Sequence, residues 1–294
     1  MDVRKIPELL SLTNYPVGLG GCRNDGTNFD CCEYNVTVMD EKMGEFVHKV
    51  SGDFIKIHHC SINDNNIGTL NQLQDLTILH DDEWKLRMMV SAIREKREKI
   101  LTSYAQSCLV DAGIFSNKTK DSLKIKDPFA GVWIKCASYF LTDAILCLNS
   151  KRLSPTHMLE IIRHVKKDKI NQNFSTIHQI LGIERSSTSL LPRMIKSTVG
   201  FSDMVENNGH SEIIKKKCEY LVENSLLSDC YFYLGYINRN NVLRIKNRIH
   251  RNPEFIHVLK VGLDIEHDPL VIDKQATELL QVCNEMLTDL KHRI

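Results

Sequence analysis

Tyr15 to Asp40 read YPVGLGGCRNDGTNFDCCEYNVTVMD. Val17 and Leu19 alternate with glycine as a short apolar strand does, and Gly20-Gly21 ends it in a turn that suits residues without a Cβ. A dozen residues after Gly21, the run Glu33-Tyr34-Asn35-Val36-Thr37-Val38 alternates polar and apolar side chains and predicts a second strand. Side chains two apart on a strand point the same way, so Glu33 and Asn35 share a face.

Working outward, Phe54-Ile-Lys-Ile-His58 alternates as a half-buried strand does, and Asp75-Leu-Thr-Ile-Leu79 reads as another. Between them, Ile67, Leu70, Leu73 and Leu76 fall at helical spacing. Residues 1–80 therefore predict a small mixed α/β domain. From Asp81 the pattern turns helical. Asp81 or Asp82 caps a run from Glu83 to about Ala112, and Asp127-Pro128 opens a segment to Leu148 that is apolar nearly all round. Ser154-Pro155 starts a further helix. Others are expected near 173–182, 187–206, 210–237, 240–250 and 268–292. The predicted fold class is α+β: a mixed domain over 1–80, then an all-α bundle over 81–294.

Lys and Arg total 38 against 37 Asp and Glu, so the net charge of +1 gives no overall attraction to nucleic acid or anionic lipid. No stretch reads as a membrane span of about 20 apolar residues. MDVRKIPELL carries charge on both sides of a short apolar run, unlike a secretory signal. Ten cysteines in a chain of this length without an export signal are expected as reduced thiols in the cytoplasm.

Nucleotidyl transfer needs backbone N–H groups that can approach a triphosphate closely, which favours glycine, and carboxylates that share Mg²⁺. Two metals then stabilise the attacking and leaving oxygens. Residues 15–60 resemble this arrangement as the polymerase-β type of nucleotidyltransferase superfamily builds it: a Gly-Gly or Gly-Ser turn, Asp-x-Asp on the next strand, and a third Asp on a later strand. Gly20-Gly21 matches the turn, and Cys32 to Val38 resembles the acid-bearing strand. Ile55-Lys56-Ile57-His58 falls where the third acid would be, and a helical C-terminal domain is common among stand-alone members.

The resemblance implies a triphosphate held by Gly20, Gly21, Cys22 and Arg23. It implies Mg²⁺ on Glu33 and Asn35, with His58 in the third position. It also implies transfer of a nucleoside monophosphate from an NTP to an unidentified acceptor. The chain departs from the pattern at all three acids: Glu33 is one methylene longer, Asn35 is an uncharged amide and His58 is an imidazole. Catalysis is therefore impaired if these are the ligands. The alternative is a non-catalytic nucleotide- or partner-binding scaffold of the same fold.

A third reading uses residues 244–257. Arg244, Arg248 and Arg251 share one helical face and offer a local site for nucleic acid. Arg251-Asn252 followed by His257 resembles the Arg-polar-x4-His pattern of HEPN ribonucleases, although Pro253 interrupts the helix such a pattern needs. Cys22, Cys31, Cys32, Cys60, His58 and His59 lack the short paired spacing of a zinc site. Lys215-Lys216-Lys217 reads as a solvated face, and His80-Asp81 resembles the metal pair of phosphohydrolases without its companion histidines.

Overall fold

The computed structural model describes residues 1–150 and 154–291. The chain divides into two compact units: Met1–Tyr104 with Asn207–Lys217, and Ala105–Glu206 with the rest of the chain from Cys218. The fold is α+β, with one mixed sheet at the N-terminal end and helices after it.

In the first unit α1 (Ile6–Leu9) leads to β1 (Val17–Gly20), and α2 (Cys22–Asp25) follows the diglycine. Next come β2 (Tyr34–Met39), β3 (Gly44–Val50), β4 (Asp53–Cys60), α3 (Ile67–Leu73), β5 (Thr77–His80) and α4 (Lys85–Glu95). The strand order is β3-β4-β2-β1-β5. Only β2 and β4 run parallel; the other neighbours are antiparallel. Alternation sets which face is buried. Tyr34, Val36 and Val38 pack with Val17, Leu19, Ile55, Ile57 and Ile6 in one core. A second core under α3 and α4 gathers Met39, Leu73, Leu76, Leu86, Val90 and Ile93.

The opposite face carries the polar residues. Register places Gly20 beside Asn35, Asn35 beside Lys56, and Lys56 beside Val47, a row across four strands. The next row runs Gly18, Thr37, His58 and Glu45. The sequence does not mark β3, whose residues alternate between exposed and half-buried with none fully buried. A junction expected near residue 80 coincides with the end of β5, while the compact unit continues through α4 to Tyr104.

Residues 207–217 belong to this sheet, far from it in sequence. Val47 donates its N–H to the Asn208 carbonyl (3.1 Å), and the Asn208 side chain donates to the Glu45 carbonyl (3.2 Å). Two backbone groups on the outer edge of β3 are thereby engaged, which blunts that edge as a template for aggregation. Lys216 lies 5.4 Å from the centre of the Phe54 ring.

The run expected to be one helix from 83 to 112 breaks at Lys96, and α5 (Arg97–Lys124) continues from there. Then follow α6 (Ala130–Leu148), α7 (Met158–His164), α8 (Lys169–Gln172), α9 (Phe174–Leu181), α10 (Leu191–Val205) and α11 (His210–Glu223). The chain closes with α12 (Leu227–Ile245), α13 (Phe255–Gly262) and α14 (Pro269–Lys291). The single helix expected over 210–237 is broken by Ser225, which sits at φ 59°. The final residue expected for the last helix, 292, lies outside the described residues.

In the second unit, α6 is long and apolar enough to cross a membrane by length and composition, which corrects the sequence reading. The unit packs 94% of its most apolar window inside the protein. Trp133, Tyr139, Phe129, Tyr231, Phe232 and Tyr233 are fully buried in this unit. It buries an ion pair as well. Arg239 pairs with Asp143, which also accepts from the Tyr236 hydroxyl (2.9 Å).

Candidate functional site

The polar face brings Gly21, Glu33, Asn35 and His58 together. Gly21 follows β1 at φ 75°, ψ −172°, a backbone region essentially reserved for glycine. Asn35 lies directly behind it: a Cβ on Gly21 would stand 2.7 Å from Asn35 Nδ2. The same Nδ2 donates to Glu33 Oε1 (3.4 Å), and Asn35 Oδ1 lies 3.5 Å from His58 Nε2. These contacts are at the long end for hydrogen bonds. Glu33 precedes β2 by one residue, so two-residue spacing keeps it on the face of Asn35.

Tighter contacts come from charged partners. Lys217 Nζ lies 2.6 Å from Glu33 Oε2, with the two side chains only 3% and 8% exposed. Lys56 Nζ lies 2.9 Å from Glu45 Oε2, and His58 Nδ1 lies 2.8 Å from Glu45 Oε1. The face thus holds two carboxylates and two ammonium groups, whose formal charges cancel.

Burial alone would raise the Glu33 carboxyl. The charge and hydrogen bond of Lys217, backbone hydrogen bonding and the nearby Lys56 outweigh it and pull the group down to about 2. His58 is lowered, first by burial and then by Lys56, against the opposing pull of Glu45. His210 drops to about 3 for the same two leading reasons. Both imidazoles are therefore neutral at physiological pH.

Cys22 and Arg23 are placed differently. Cys22 is buried, and its hydrogen bond with Cys32, together with burial, pushes the thiol up. Arg23 donates to the carbonyls of Cys32 (2.7 Å) and Asp30 (3.2 Å) and lies 4.4 Å from the centre of the Tyr34 ring. Its guanidinium staples the loop between α2 and β2. Of the nearby acids that could stand in for missing ones, Asp25 accepts from Thr27 within its own turn. Asp40 closes the far end of β2, paired with His59 (2.9 Å) and Lys42 (3.3 Å). None of the ten cysteines forms a disulfide.

Lys217 corrects the reading of the 215–217 run as a solvated face, since it is 2% exposed. A signal was present: Ile213, Ile214, Cys218 and Leu221 form the buried stripe of α11, and Lys217 sits within that stripe. Asp81 is a structural group, accepting from the Arg87 N–H (2.8 Å), while His80 faces Asp82 at 3.6 Å.

In the second unit, Arg244 is on the last turn of α12, paired with Glu206, and Arg248 lies beyond the helix end. Arg251 ends a short 3-10 turn and His257 is on α13. The helix expected at 240–250 is thus the end of α12 and a separate turn, so no single helix aligns Arg251 with His257.

No protein-family model matches the chain, and no curated protein does. Among solved structures, a nucleotidyltransferase-like protein from Exiguobacterium sibiricum 255-15 is similar over 87% of this chain and 89% of its own, at 10% identity and a TM-score of 0.35. Similarity at that level is too low to assign a fold.

Proposed function

We propose that the chain is a nucleotidyltransferase-like scaffold that does not itself transfer nucleotides. One observation carries this reading: of the three positions at which the resemblance expects acids, only Glu33 is a carboxylate, and it is bonded to the Lys217 ammonium, while the other carboxylate of the face, Glu45, is engaged by Lys56 and His58. Two-metal transfer draws its rate from dense negative charge holding Mg²⁺ against the reacting oxygens. Mg²⁺ takes carboxylate and water oxygens in near-ideal octahedral geometry. Glu33 engaged by Lys217, the amide of Asn35 and the imidazole of His58 are a poor donor set for it.

What the scaffold keeps is the frame. Gly20 and Gly21 still bring backbone close to the polar face, and the sheet still presents Glu33, Asn35 and His58 on one side. A nucleotide, or a partner contacting the same turn, is the ligand class this frame suits.

Two measurements test the reading: pyrophosphate release from each NTP, and thermal stability with NTP in the presence and absence of Mg²⁺. The scaffold reading expects no release above blank. It also expects any stabilisation by nucleotide to be equal with and without the metal. Mg²⁺-dependent release that disappears in Glu33→Ala would refute it.

A further inference from the structure

We infer that Lys217 is the resident cation of this face: its ammonium takes, beside Glu33, the place a divalent metal would take, so that the face binds no divalent cation. This deepens the scaffold reading and rests on it.

The placement of Lys217 is not that of a loosely held surface side chain. The segment that delivers it is fixed to the sheet at independent points. Asn208 bonds the edge of β3 at two backbone groups. Gly209, at φ 82°, passes so close to Val47 that an added Cβ would lie 3.3 Å from the valine Cβ. Lys216 reaches the Phe54 ring and the Gly52 carbonyl. Lys217 follows one residue later and is aimed inward, where an unpaired ammonium would be costly. Its 2.6 Å contact with Glu33 answers that cost for both partners.

Charge count leads to the same conclusion. Lys217 and Lys56 offset Glu33 and Glu45 in formal charge. A divalent ion placed beside Glu33 would leave the face two charges in excess with Lys217 in place, and one in excess even if it displaced Lys217. With Lys217 removed, the face carries an uncompensated carboxylate. The carboxylate lies beside the amide nitrogen of Asn35 (3.4 Å), whose amide oxygen lies 3.5 Å from His58 Nε2, so a turn of the amide would bring its oxygen to the carboxylate. Carboxylate and amide carbonyl oxygens are donors that suit Mn²⁺.

The test is Mn²⁺ binding to the full chain, followed by electron paramagnetic resonance of the free ion, in wild type, Lys217→Met, and Lys217→Met combined with Glu33→Gln. The expected pattern is no site-specific binding in wild type, one bound ion in Lys217→Met, and its loss in the double variant. Mn²⁺ bound by wild type and lost in Glu33→Gln overturns the inference; so does a folded Lys217→Met that binds none. If Lys217→Met does not fold, the wild-type titration against Glu33→Gln still decides. Pyrophosphate release, measured alongside, separates the two readings. Wild-type Mn²⁺ binding without release overturns the role of Lys217 alone, whereas binding with release overturns the scaffold reading as well.

Discussion

Gly21 and Asn35 stand back to back: the amide nitrogen of Asn35 occupies the space that a Cβ on Gly21 would enter, 2.7 Å away. The glycine is fixed twice over, by this contact and by its backbone angles of 75° and −172°. Gly21→Ala is expected to destabilise the protein by about 1–3 kcal/mol in urea unfolding. Adding Asn35→Ala should recover only the steric part, because the backbone strain remains. Equal stability of Gly21→Ala and wild type would count against this geometry.

The Glu33–Lys217 pair predicts a specific acid sensitivity. The folded carboxyl titrates at about 2 against an ordinary value of 4.5, so its contribution is fully present above 4.5. That contribution is lost as pH falls toward the folded value. Glu33→Gln strands a buried ammonium and is expected to cost about 3–5 kcal/mol near neutral pH. The gap to wild type should narrow between about pH 4.5 and pH 2, in urea midpoints measured across that range. A gap constant with pH would show that the carboxyl is not held ionised by its partner.

Lys135 carries a pH dependence of the opposite kind. It is buried in α6, and its ammonium donates to the Leu181 carbonyl (2.7 Å). Burial, then the charge of Arg185, depresses it from 10.5 to about 7. Between those values the unfolded chain holds the proton and the folded one does not, so stability rises with pH. The stability of wild type relative to Lys135→Met should therefore increase from about pH 7 to about pH 10. Leu181 keeps a second donor in the Tyr231 hydroxyl (2.8 Å), which limits collateral damage from the substitution.

Gly235 lies inside α12, where alanine would ordinarily stabilise a helix by about 1 kcal/mol. Here an added Cβ would meet the Tyr139 hydroxyl and stand 2.9 Å from its Cζ. Gly235→Ala is expected to reverse the usual sign and cost about 1–3 kcal/mol by overpacking. Tyr139→Phe should return part of that loss, read as the coupling in a double-mutant cycle.

The sheet was legible where apolar alternation was strong. Tyr34 to Val38 and Phe54 to His58 fall on β2 and β4, and the spacing of two places Glu33, one residue before β2, together with Asn35. β3 was not legible, because an edge strand buries little and needs no clean apolar period. α6 was legible as a helix without a polar face. Helix ends were less so: Lys96 and Ser225 interrupt runs whose apolar pattern continues across them. The association of residues 207–217 with the sheet depends on contacts at long sequence separation, which local periodicity does not encode. Only a lysine inside the apolar stripe of α11 pointed to it.

The distance along the chain between Glu33 and Lys217 sets an order of events during synthesis. The ribosome releases the acid-bearing strand long before the segment that neutralises it, with more than half the polypeptide still to be made. At roughly 5–20 residues per second, the nascent N-terminal sheet waits many seconds with its outer edge open and one carboxylate without its counter-ion. The sheet must keep that acid hydrated through the interval, so its final desolvation is a late step in maturation.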